Sequence, residues 1–454
     1  MEKQKKEAIF MPLLALAWPA IVEGLLQTIL QYIDTAMVGR LGASATATVS
    51  LSSTYSWLIH SVISALGVGF LSYIARGIGE DDRDKVHSAA GQTVFVAVLI
   101  GVIMTAITLW IAPYMPGWMG AEPSIRRDAT KYFVYINIPM VFRSATIILG
   151  AAIRATKDAK TPMYINVFVN GLNIILNYIM IYVVGLGAVG AGVSTGISVT
   201  VGGILMTVAF FRNPILCGDA PRKISIEQYK PNARVLRGIM AIGFPIVLTR
   251  MASCMGHIVF TSFVSSMSTI VYAAHAIAIT AEELFYMPGY GMMSATSTLI
   301  GNAVGEKNQT KERKVKLYSI GMIFVLMCVT GMLLYFGADF MMSLFTKDEK
   351  VIAIGGKLLR MVAFTEPVFG TSAVMEGIYN GMGHTKYPLV VELISMWGVR
   401  VLGAFICVRV LHMGIVSVWV MMIANNVLKA ILLAVGLIYL GRKRGLNKRG
   451  EVTI

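Results

Sequence analysis

LAWPAIVEGLLQTILQYIDTAMVGRLG, residues 16–42, is the stretch on which the fold turns. Only Glu23, Asp34 and Arg40 are charged in it, and its apolar run exceeds the ~20 residues that a helix needs to cross a hydrocarbon core of ~30 Å. The same character recurs along all 454 residues, which are 56% hydrophobic and 14% charged, with a mean hydropathy of +0.70. A soluble core of this length has no use for so much apolar surface. Strands of a membrane barrel would alternate polar and apolar residues, whereas these apolar stretches are continuous, so the chain is expected to be polytopic and helical.

Apolar stretches of sufficient length predict spans near 11–38, 46–75, 89–113, 129–153, 162–184 and 187–211, then near 236–262, 269–301, 317–345, 352–379, 387–408 and 413–440. The polar start MEKQKKEA precedes an apolar run far longer than a signal-peptide core, with no small-residue cleavage site after it, so that run is taken as the first span. With the N-terminus inside, well over half of the 39 lysines and arginines fall in tails and loops on the inner face, which predicts a multi-pass plasma-membrane protein with both termini cytoplasmic. The net charge of +15 is thereby accounted for by topology and anionic lipid, and no nucleic-acid partner is implied. Cys217, Cys254, Cys328 and Cys407 stand far apart, three of them in apolar segments, and read as packing residues. His60, His257 and His275 have no second ligand at metal-binding spacing, and GVGF at 67–70 has no Walker lysine, so neither a metal centre nor an ATP site is expected.

Three landmarks expose an internal repeat. Pro19 in AWPAIV answers Pro245 in GFPIVL, Gly79-Glu80 in RGIGE answers Gly305-Glu306 in NAVGE, and Pro162 in DAKTP answers Pro388 in GHTKYP, each pair 226 residues apart. Six spans per unit make the repeat parallel, with its pseudo-twofold axis along the membrane normal. The expected organisation is an all-α membrane protein of twelve transmembrane helices in two pseudo-twofold-related six-helix bundles. An N-lobe over 1–211, a cytoplasmic linker over 212–235, a C-lobe over 236–440 and a basic tail over 441–454 divide the chain.

Asp34 is the acidic residue in the outer half of the first lobe's spans. Burying a carboxylate there costs roughly 2.5–3.5 kcal/mol on insertion scales, which makes it a functional candidate. At 1.5 Å per residue, Asp34, Asn177, Thr195 and Asn173 lie roughly 6, 10, 12 and 17 Å below the outer helix ends, so four oxygen-bearing side chains occupy neighbouring depths. Asn173 and Asn177, four apart, share one helix face. Such a set suits a hard cation; the same residues also serve elsewhere as headgroup contacts or interhelical hydrogen bonds. In the second half, Glu282, Glu283 and Met287 of TAEELFYMPGYG, with Gln27 of the first helix, are candidate cavity residues. Within the spans Glu23, Asp34, Glu282, Glu283, Glu366, Glu376 and Glu392 outnumber Arg143, Arg250, Arg400 and Lys429, an excess that favours cationic cargo. Internal pairing is the competing account, for instance Arg400 or Arg250 with Glu366, and for Glu376 and Glu392 simple proximity to the inner interface.

The opening stretch, together with GAAIRATKDAKTPMYINVFVNGLNIILNY at 150–178, AAHAIAITAEELFYMPGYG at 273–291 and MWGVR at 396–400, resembles the multidrug and toxic compound extrusion (MATE) family over nearly the whole chain. That resemblance implies a V-shaped pair of bundles, not an enzyme and with no cofactor, acting as a secondary active antiporter. It would be a monomer in membrane lipid that exports small organic cations by alternating access as H+ or Na+ enters. It also implies that Asp34, with Asn173, Asn177 and Thr195, binds the coupling cation, and that no metal other than Na+ is involved. Two departures bear on this. Certain relatives have an aspartate where this chain has Asn177, and others place carboxylates where it has Ser253 and Phe369, while the repeat partner of Asp34 is Phe260; coupling is thus expected in the first lobe alone. A flippase for lipid-linked precursors is the alternative with this architecture, but its anionic headgroup calls for basic residues, and the acid excess opposes it.

Overall fold

Apolar runs this long leave the backbone no polar partner but itself, and the chain resolves into helices with no strand among the described residues. The computed structural model describes the backbone of residues 2–119, 121–218 and 230–450, and the side chains of 10–42, 44–52, 55–119, 121–218 and 230–442. In chain order the helices are α1 (Glu2–Gly39), α2 (Ala43–Gly79), α3 (Arg83–Ile111), α4 (Met115–Trp118), α5 (Pro123–Asn137), α6 (Met140–Ala155), α7 (Lys160–Tyr178), α8 (Gly187–Phe211), α9 (Pro214–Cys217) and α10 (Ala233–Ser265). They continue as α11 (Thr269–Gly305), α12 (Gln309–Ser343), α13 (Glu349–Ala363), α14 (Glu366–Met382), α15 (Lys386–Glu392), α16 (Leu402–Phe405) and α17 (Ile415–Gly450). Wider π-helical turns occupy Ile179–Val183, Leu393–Val401 and Ile406–Val410.

Ten of the helical stretches are long and apolar enough to span a membrane, and the bent pair α5–α6 makes an eleventh. The fourth expected span, near 129–153, is therefore not one straight helix. Pro139 has no N–H to offer the carbonyl of Tyr135, and the axis turns by 42°. The Arg143 guanidinium donates to the carbonyl of Ile136 at 3.3 Å, satisfying one acceptor freed by the break. Where the tenth span was expected, near 352–379, α13 and α14 follow each other across a similar interruption at Phe364–Thr365, with Pro367 in the first turn of α14.

Packing divides the chain into two compact units, Leu14–Val247 with Thr298–Glu312, and Met1–Leu13 with Leu248–Ser297 and Arg313–Ile454. In the first, α6 packs against α2, α3 and α8. Phe70, Ile74, Ile148, Leu149, Met206 and Phe210 are fully buried at its centre. In the second, α17 packs on α14 and on the π-helical turn Leu393–Val401, around Phe260, Leu334, Leu359 and a fully buried Trp419. The indole N–H of Trp419 donates to His275 Nδ1 at 3.1 Å, so that histidine is spent on a core contact.

Residues 219–229 of the expected linker lie outside the described residues, as do 451–454 of the expected tail. The flanks of the linker are anchored. Asn213 caps α9 by accepting from the N–H groups of Ile215 and Leu216. The buried Gln92 of α3 donates to the Lys230 carbonyl at 2.8 Å and accepts from the Asn232 N–H at 3.1 Å. The tail continues α17 as helix as far as Gly450. All four cysteines are free; burial pushes the Cys217 thiol up to about 11, so it stays protonated and unreactive.

The 226-residue repeat is also written in the turns. Asp81 and Lys307 take left-handed φ angles of 54° and 52°, and Lys157 and Gly383 take 69° and 67°. The side chains of Asp82 and Asn308 accept from the N–H groups of Lys85 and Lys311 at 2.9 and 3.0 Å. Lys85 pairs with Glu80, and Lys311 with Glu306, each at 2.5 Å. The turns at Asp81 and Lys307 meet within the unit of Leu14–Val247 with Thr298–Glu312, where α2 crosses the end of α11 backbone to backbone. A Cβ on Gly79 would lie 2.2 Å from the Asn302 carbonyl oxygen, and one on Gly305 2.3 Å from that of Arg76. Only glycine permits this approach. Gly79→Ala is predicted to lower stability by about 1–3 kcal/mol through overpacking, read as a fall in Tm in detergent. Gly171→Ala, where a Cβ meets nothing within 4 Å, should leave Tm unchanged or slightly raised.

Candidate functional site

Asp34 lies on α1 five residues before its end, and the C-terminal end of that helix is tied to its neighbours. The Tyr182 hydroxyl, in the π-helical turn after α7, donates to the Met37 carbonyl at 2.7 Å, and Val38 packs with Ile181 and Ala191. This brings α1 against α7, whose Asn173 and Asn177 point the same way because they are four residues apart. A single chain of hydrogen bonds results. Asn177 Nδ2 donates to Asp34 Oδ1 at 2.6 Å and to Asn173 Oδ1 at 3.0 Å, and Asn173 Nδ2 donates to Thr195 Oγ1 of α8 at 3.4 Å. Asp34, Asn173, Asn177 and Thr195 are thus gathered from three helices into one cluster.

The cluster is polar and enclosed. Asn173 and Asn177 are buried, Asp34 and Thr195 half-buried, and the Asn177 Oδ1 is buried without a donor. One carboxylate, two amide oxygens and a hydroxyl offer only hard oxygen ligands, which suits H+ or a small alkali cation. The Asn177 N–H donates to the Asp34 carboxylate, so an ion bound there would meet an oxygen already oriented by that amide. Tyr132 of α5 lies within electrostatic reach of Asp34 and was not anticipated, since nothing in its sequence neighbourhood distinguishes it from an interfacial aromatic.

The other candidates make no hydrogen bond to this cluster among the described contacts. Gln27 is exposed on α1, two turns before Asp34, while Glu282, Glu283 and Met287 on α11 belong to the second unit. There Glu282 is buried, and Glu283 and Met287 are half-buried. At the repeat position of Asp34 stands Phe260, fully buried, with the Arg400 guanidinium 4.3 Å from its ring centroid. Where the first unit offers a carboxylate, the second has a cation of its own seated on an aromatic face.

The pairing of buried charges differs from expectation. Arg250 pairs with Glu376 at 3.4 Å, not with Glu366. Lys429 bridges Glu376 at 3.2 Å and Glu392 at 2.8 Å, so these two acids are bound into a network rather than merely near an interface, and the Ser253 hydroxyl also donates to Glu392. Glu23 meets Arg154 at 3.1 Å and accepts from Asn166 Nδ2 at 2.7 Å. Arg154 was missed because it lies just past the fourth expected span, where a basic residue reads as a loop charge. With these pairs set aside, Asp34 and Arg143 remain in one unit, and Glu282, Glu283 and Glu366 with Arg400 in the other. Lys429→Met is predicted to destabilise by about 3–5 kcal/mol, because it leaves the buried Glu392 without a basic partner and Glu376 with Arg250 alone. Adding Glu392→Gln should recover part of that loss, measured as Tm in a double-mutant comparison.

Comparisons with known proteins agree with this architecture. A family model described as MatE matches residues 19–179 and again 245–406, two segments that begin at the repeat-related prolines. The chain is 28% identical over 441 residues to the "Probable multidrug resistance protein NorM" of Thermotoga maritima, a match covering 95% of this chain and 93% of that one. It is 24% identical over 448 residues to the like-named protein of Idiomarina loihiensis, covering 96% and 95%. Among solved structures, an outward-facing multidrug resistance MATE family transporter of the MOP superfamily superposes with a TM-score of 0.88 at 24% identity, covering 96% of this chain and 95% of that one. A MOP superfamily transporter from Pyrococcus furiosus gives 0.87 at 24%, with the same coverage. Both structural likenesses carry the fold. Matched twice, once in each half of its repeat, the chain belongs to the MatE family of multi-pass membrane transporters.

Proposed function

We propose that this protein is a secondary active antiporter of the plasma membrane that exports small organic cations in exchange for H+ or Na+ by alternating access. The observation that carries the proposal is the enclosed cluster of Asp34, Asn173, Asn177 and Thr195, one carboxylate among neutral oxygen ligands. An ion shifts a conformational equilibrium only by its differential affinity for the two states. Asp34 supplies such a difference, since its charge is tolerable while hydrated or bonded to Asn177 and costly when enclosed without a cation. Entry of H+ or Na+ cancels that charge and releases α1 to change shape, with Pro19, which leaves one backbone acceptor unpaired inside an unbroken α1, as the natural flexing point.

Glu282 and Glu283, with Met287 and Gln27, are proposed to meet the cargo. The acids left without a basic partner in the second unit outnumber Arg400, and that excess favours a cation over the anionic headgroup a flippase would carry. The relatives named as multidrug resistance proteins favour the same choice. The working parts are the N-lobe over 1–211 and the C-lobe over 236–440, joined by the 212–235 linker and followed by the 441–454 tail. Both termini are cytoplasmic, and the functional unit is a monomer in membrane lipid, with no cofactor, catalytic centre or nucleic-acid partner.

Reconstitution into liposomes with ethidium as cargo, under a sodium gradient and a pH gradient imposed separately, tests the proposal. One of the gradients should drive transport, and Asp34→Asn should reduce it about tenfold or more, within the usual range of coupling free energies. Transport that survives the substitution under both gradients removes Asp34 from the mechanism. A requirement for ATP removes antiport altogether.

A further inference from the structure

Glu366 is the least provided-for acid among the described residues. It opens α14 and is 1% exposed, and both carboxylate oxygens are buried with no hydrogen-bond donor. The helix start gives it little, because the following residue is Pro367, which has no N–H, and the Thr365 hydroxyl is turned away to donate to the Val362 carbonyl. On the neighbouring α12, Gly331 packs against the Glu366 Cβ and contributes no polar side chain.

The charges around it do not replace the missing donors. Glu282 of α11 faces it electrostatically, as does the phenol of Tyr286, which Glu283 and Tyr290 also reach. The single buried base of this cluster, Arg400, has its field on Glu282, Glu392 and Tyr286 and its plane on Phe260. Its Nε and one terminal nitrogen remain without acceptors, so it is not bonded to Glu366. One guanidinium balances one carboxylate, and Glu282 is the one it reaches. A second carboxylate beside Glu282, buried and without donors, is stable only as the neutral acid.

We propose that Glu366 is a second proton-carrying group, in addition to the Asp34 cluster. It holds its proton while enclosed as here and passes it to water when that part of the unit is hydrated, leaving the carboxylate behind. Only the transport consequence rests on the antiport proposed above; the bound proton is open to direct test. In infrared difference spectra of the purified protein in detergent, taken between neutral and alkaline pH, the wild type should lose the carbonyl stretch of a buried carboxylic acid. Folded Glu366→Gln should lack that band and Asp34→Asn should keep it. A band of unchanged size in Glu366→Gln overturns the proposal. Should the glutamine variant fail to fold, Glu366→Asp replaces it: a shifted frequency is expected, and an unshifted band contradicts the assignment. In liposomes under a pH gradient, Glu366→Gln should carry fewer protons per ethidium than the wild type, and an unchanged ratio would deny Glu366 a carrying role.

Discussion

Every ionised side chain inside this molecule must find its counterpart within the protein, because hydrocarbon supplies none. Much of the structure obeys that constraint. Glu23 is matched by Arg154, and Glu376 and Glu392 share Lys429 and Arg250. These groups look functional when counted along the chain and become structural once seen in pairs. The acids that pairing leaves over are informative: Asp34, supported by an amide instead of a cation, and those around Glu282 and Glu366. Unbalanced charge is what a cation-driven machine needs at the points where cations come and go.

The two halves show how one backbone plan accommodates different chemistry. Their turns repeat down to the left-handed residues, the caps and the lysine–glutamate pairs, all at one spacing. The chemistry at related positions does not repeat. Asp34 becomes Phe260, and the partner there is Arg400, a cation that cannot leave because it is covalently part of the chain. A tethered guanidinium on an aromatic face takes the place that a mobile ion is proposed to take in the first half. This gives a physical reason for the asymmetry proposed above, in which one half would bind and release an external cation at the Asp34 position and the other would not.

Much of this was legible in the sequence because the controlling signals are long or periodic. Spans announce themselves over twenty residues, and a repeat of 226 residues needs only three landmarks. The meeting of Asp34 with Asn173 and Asn177 could be foreseen from depth and helical spacing alone, since both depend only on rise per residue. Charge pairing could not. Whether Arg250 reaches Glu376 or Glu366 depends on helix rotation and on the break after Ala363, where Pro367 stands in the first turn of the next helix. The π-helical turn that presents Arg400 to Phe260 adds an offset that no regular periodicity contains. Arg154 escaped notice for a simpler reason, its position one residue beyond an assumed boundary.

The central claim is that a small cation and the cargo compete through the charge of Asp34. Its most direct test is the proton released, or the sodium displaced, when an organic cation is added to the purified protein in lightly buffered detergent. The wild type should give up one or the other in proportion to cargo bound, and Asp34→Asn should give up distinctly less of the same ion. Equal release of both ions from the two proteins would contradict the account.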